Sequence, residues 1–108
     1  MQHVFLALVC VLMCKSAAFA QTTRQEAQAQ LRIASLAATC ASCHGPQGDG
    51  AVPNSIVPSL NLFSADYIKT NLMWFKTGQR PSTVMGHIAK GYTDEQIEQI
   101  ANHFGKKN

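Results

Sequence analysis

Cys40-Ala41-Ser42-Cys43-His44 puts two thiols three positions apart and an imidazole directly after the second. Over one helical turn this spacing carries both sulfurs to one side of the backbone, where each can form a thioether to a haem vinyl group. His44 then lies where its ring can reach the iron from the proximal face. A histidine in that role offers one neutral ring nitrogen to the metal and needs a hydrogen-bond acceptor on the other. An acceptor further along the chain is therefore expected.

Two other chemistries use similar residues. A redox-active Cys-x-x-Cys pair follows a β-strand in a βαβ unit, whereas residues 32–39 are alanine-rich and helical in character. A zinc site needs about four ligands, and beyond Cys40, Cys43 and His44 only the distant His87 and His103 remain. Covalent haem attachment is the reading these residues support.

Iron held by His44 has a second face. Met73 falls in an apolar helical stripe and reads as a core residue, and His103 is placed to point to solvent. Met85 lies in Arg80-Pro81-Ser82-Thr83-Val84-Met85-Gly86, between two expected helices, where a loop can carry a thioether to the metal and Gly86 removes a steric obstacle. Met85 is the expected second ligand, with His87 or an open site as alternatives. A thioether favours reduced iron more than imidazole does and raises the potential.

The elements that must position these groups follow from patterning. Residues 21–39 read as one helix with Ala27, Leu31, Ala34 and Ala38 as its inward stripe; its small residues suit close approach by Ile100 and Phe104. Gly45, Gly48, Gly50, Pro53 and Pro58 make 45–63 a loop, expected to wrap a flat ligand. Ser64 is a candidate N-cap for a helix running to about Thr77 and stopping at Gly78, with Ile68, Leu72 and Phe75 on one face and Trp74 a candidate haem contact. Thr93-Asp94-Glu95-Gln96 fits a capping box, with Tyr92 and Ile97 as a hydrophobic staple. Ile97, Ile100, Ala101 and Phe104 form the stripe of this last helix, which Gly105 ends.

The chain has 108 residues, enough for one domain. Residues 4–14 form an apolar run too short to span a bilayer, and Ala18-Phe19-Ala20 supplies a signal-peptidase pattern. Residues 1–20 are expected to be an export signal and 21–108 the functional domain. An uncleaved membrane anchor is the alternative, since Met1-Gln2-His3 carries no Lys or Arg; a lipid-modified Cys10 or Cys14 lacks the small residues it would need. Cleavage would remove Cys10 and Cys14, leaving Cys40 and Cys43 as the only thiols, in an oxidising periplasm that suits their bonding to haem. It would also leave eight Lys and Arg against six Asp and Glu, a balance too weak to argue for nucleic acid. A chain of roughly 88 residues has a small core, and a covalently held haem would serve as both core and staple.

With these residues assembled, the chain resembles a small mono-haem class I cytochrome c. Within that group, Lys76-Thr77-Gly78 and Ser82-Thr83-Val84-Met85-Gly86-His87-Ile88-Ala89-Lys90-Gly91-Tyr92 resemble the cytochrome subunit of flavocytochrome c sulfide dehydrogenase. The resemblance covers about residues 38–104. It implies an all-α fold wrapped around one haem c, with the first and last helices crossing. Cys40 and Cys43 would hold the thioethers, His44 and Met85 the iron, and the Pro58 carbonyl the other nitrogen of His44. His87 departs from the arginine often found there.

Two kinds of function are implied. As an enzyme subunit, the chain would accept single electrons from an FAD-containing sulfide dehydrogenase partner and pass them to a downstream acceptor; it has no glycine fingerprint for binding the flavin itself. As a free carrier, it would diffuse between periplasmic redox partners through a small transient interface. A gas- or ligand-binding haem protein, with Met85 off the iron, is a third reading.

Overall fold

The computed structural model describes residues 2–50 and 53–106, with side chains described in 19–50 and 53–106. The chain divides into two compact units, 1–32 and 33–108. The first is helical; in it, Thr23 Oγ1 donates to the carbonyls of Phe19 and Ala20 at 3.1 Å. The side chains of 4–15, on which the export-signal reading turns, lie outside the described residues. Among the described residues no helix is long and apolar enough to cross a membrane.

α1 spans Gln2–His44, well beyond the expected 21–39 at both ends. No glycine or proline occurs before Gly45-Pro46, so nothing in the backbone stops the helix until the haem motif is complete. The inward stripe also differs from expectation. Leu31, Ala34 and Ala38 are exposed, while Ala37 is 3% exposed and Leu36, Cys40 and Ala41 pack beside it. The reason is register: the inward face runs through Ala37, Cys40 and His44, and Ala34 and Ala38 are turned off it.

In the second unit the core joins Ala37 to Ile68, Ile100, Ala101 and Phe104. It is Ala37, then, that provides the small surface against the last helix. α2, Ala65–Thr77, starts where expected: the Ser64 hydroxyl accepts from the Tyr67 N–H, and the helix ends at Gly78 in the left-handed conformation. α3, Met85–Lys90, is a short helix where a loop was expected. α4, Asp94–Phe104, has the full capping box, with Thr93 and Gln96 exchanging side-chain-to-backbone bonds at 3.2 and 2.9 Å. Burying Ile97 and Ile100 within it stabilises the fold by about 1.5–3 kcal/mol each.

Among the described residues the elements are helical, apart from one 3₁₀ turn at Leu60–Leu62 and one isolated β-bridge between Ser64 and Lys106. The Lys106 N–H donates to the Phe63 carbonyl at 2.8 Å, tying the end of α4 to the start of α2. Gly105 makes that join possible, because a Cβ there would stand 2.5 Å from the Ala65 backbone.

Candidate functional site

Gly45 ends α1, and the loop turns back sharply: the Gly48 N–H donates to the Gly45 carbonyl and the Gly50 N–H to the His44 carbonyl, at 2.9 and 2.7 Å. Gly48 has a φ of 67°, and a Cβ on it would stand 2.8 Å from Phe104. The returning strand of loop then brings Pro58 against His44. The His44 Nδ1–H donates to the Pro58 carbonyl at 2.8 Å, which leaves Nε2 free to meet a metal. This is the acceptor the sequence demanded. His44 is 8% exposed.

A cavity of about 420 Å³ opens beside this ring, within the range of small-molecule and cofactor sites. Cys40 and His44 of α1 line it, with Pro58, Leu60 and Phe63 of the loop, Ile68, Leu72 and Phe75 of α2, Met85 of α3 and Ile100 of α4. The walls are mainly apolar, as a flat hydrophobic macrocycle requires, and the donors are an imidazole and a thioether. Cys40 lines the cavity, while Cys43, one turn on, is exposed and outside its lining; the residues present fit a haem attached through Cys40 and, at the exposed rim, Cys43. Met73 and Trp74 are not among the lining residues, and Trp74 is 44% exposed. Trp74 is thus not a wall of the cavity, because it lies off the Ile68–Leu72–Phe75 face. His87 and His103 are exposed, His103 standing edge-on to Phe104.

The competing chemistries find no support in this geometry. Burial pushes the Cys40 thiol up from its ordinary value, with a backbone hydrogen bond opposing and Cys43 adding slightly, whereas a redox-active pair needs a thiol pushed down. Among the described residues no three His, Cys, Asp or Glu side chains converge as a zinc site would need.

Two polar residues of the wall were not anticipated. Asn71 is 8% exposed; its amide donates to the Tyr67 carbonyl at 2.7 Å, and its oxygen accepts from Arg80. Arg80 in turn lies over the Phe75 ring, 5.0 Å from its centre. Asn71 carried a signal, being the polar member of the Ile68–Leu72–Phe75 face. Arg80, in a turn between helices, carried none.

Helices of the second unit set around an apolar cavity, with a Cys-x-x-Cys-His motif at its edge, define a helical protein that holds haem covalently. The family model described as Cytochrome c matches residues 32–105, and the chain belongs to that family: it is a class I electron-transfer cytochrome carrying haem c. It is 50% identical over 76 residues to the cytochrome subunit of sulfide dehydrogenase of Chlorobaculum tepidum, covering 68% of this chain and 66% of that protein. It is 35% identical over 72 residues to cytochrome c-554(548) of Halomonas halodenitrificans, covering 64% and 84%. It is also 35% identical over 68 residues to the thiosulfate dehydrogenase electron acceptor of Stutzerimonas stutzeri, covering 60% and 31%. The chain thus spans just under two thirds of the first relative's length and about a third of the last.

Proposed function

We propose that this cytochrome is the electron-accepting subunit of a flavoprotein sulfide dehydrogenase, taking single electrons from an FAD-containing partner and passing them to a downstream acceptor. The observation that carries the reading is the 50% identity to a sulfide dehydrogenase cytochrome subunit. In this reading Cys40 and Cys43 hold the thioethers, and His44 and Met85 hold the iron. Haem c bound there supplies a one-electron ferric/ferrous couple. The chain's own groups set its poise: the Met85 thioether favours the ferrous state, and the mainly apolar wall disfavours the added charge of the ferric state. The Pro58 carbonyl fixes the His44 ring and makes it the more basic ligand. Export to the periplasm, with removal of 1–20, completes the proposal.

The test is a pull-down of the tagged cytochrome from periplasmic extract, with flavin absorbance followed alongside haem. Co-elution of flavin, and haem reduction on adding sulfide, are expected. A second reading, a free carrier, is favoured by the 84% of cytochrome c-554(548) that the chain covers; haem eluting alone, at the size of a monomer, would select it. The haem itself should survive acid–acetone extraction, because thioether bonds are covalent and axial bonds are not.

A further inference from the structure

The helix that carries Met85 is too short to hold itself in place. α3 has six residues, and isolated helices shorter than about 12 residues are marginal in water, so its position depends on what it is tied to. At its start, the Ser82 hydroxyl accepts from the Gly86 N–H at 2.7 Å. Its other end is held through Lys76, in the last turn of α2. The Lys76 ammonium donates to the Tyr92 carbonyl at 2.8 Å and to the Asp94 carboxylate at 2.6 Å, joining α2 to the short link between α3 and α4. The Tyr92 N–H in turn donates to the carbonyl of Ala89, whose side chain is fully buried.

We infer that Lys76 is a positioning residue for the Met85 thioether: by clamping the Tyr92 carbonyl to the end of α2, it anchors the far end of α3 and keeps Met85 in the cavity. This rests on Met85 being the second iron ligand. A second ion pair offers an internal comparison. Lys69 and Glu98, 3.0 Å apart, also join α2 to α4, yet Glu98 sits a turn inside α4, away from the link.

The test uses the ferric holoprotein with imidazole as probe, following loss of the far-red thioether band at saturating imidazole. In Lys76→Met the thioether should be displaced about tenfold faster than in the wild type, as expected for losing the charged hydrogen bond to the Tyr92 carbonyl, the exposed pair with Asp94 adding little. Lys76→Arg, which keeps the charge and the donors, should return most of the rate towards the wild-type value. Lys69→Met should leave it unchanged. Equal acceleration by Lys69→Met overturns the inference, because general loosening of α2 against α4 would then be the cause. So does a wild-type rate in Lys76→Met when Met85→Ala has abolished the band. If instead the band survives Met85→Ala, the thioether reading itself fails, and the inference with it. Should Lys76→Met not take up haem, Lys76→Gln gives the same comparison, and a wild-type rate there is equally fatal.

Discussion

His44 Nδ1 and the Pro58 carbonyl, fourteen residues apart in the chain, stand 2.8 Å from each other. The bond commits Nδ1 to Pro58 and aims the ring, so the loop that carries Pro58 acts as part of the ligand. Pro58→Ala keeps the carbonyl but releases the φ that the proline ring fixes. Pro58→Gly keeps the carbonyl but frees the backbone, and should cost about 1 kcal/mol in urea unfolding, with faster exchange of the His44 Nδ1–H by NMR. Wild-type exchange in both variants would show that proline's fixed φ has no part in holding the ring.

Met85 and His87 should separate cleanly. Met85→Ala should abolish the far-red charge-transfer band of the oxidised protein, lower the potential, and open the iron to carbon monoxide at neutral pH. His87→Ala, an exposed position two residues on, should leave all three unchanged. A band that persists in Met85→Ala and vanishes in Met73→Ala would move the ligand to α2.

Arg80 and Asn71 should behave as a coupled pair. Arg80→Leu leaves the oxygen of a buried Asn71 without its partner, a loss of about 1–3 kcal/mol. Adding Asn71→Leu removes the stranded group, so the double variant should lose less than the two single losses added together. Urea unfolding of the four proteins measures the coupling; strictly additive losses would mean that the contact contributes nothing.

Gly105→Ala should be among the costlier single-methyl changes in the chain. The added Cβ would stand 2.5 Å from Ala65 Cα and N, backbone atoms that cannot rotate away. A loss of about 1–3 kcal/mol is expected, seen as a lower urea midpoint. Gly78→Ala makes a useful contrast: nothing lies within 4 Å of its added Cβ, so its cost comes from the φ of 79° alone.

The sequence by itself determined the features that depend on neighbours along the chain. The haem motif, the Ser64 cap of α2 and the capping box of α4 are local arrangements, spanning four or five residues, and each is present in the structure. Met85 could be singled out by elimination, and it does line the cavity. Tertiary structure decided what local pattern leaves open. Alanines at 34, 37 and 38 are equivalent in periodicity, and only the inward placing of Cys40 and His44 makes Ala37 the buried one. α3 has too few residues to announce itself, since six residues gain too little from helix propensity to outweigh nucleation; Ser82 holds its start, and Lys76 of α2 grips the link that follows its end. The contact of Asn71 with Arg80 joins α2 to a turn nine residues later. Spacing along the chain cannot express it, because the pair meets only once Gly78 has ended α2 and Arg80 has folded back over Phe75.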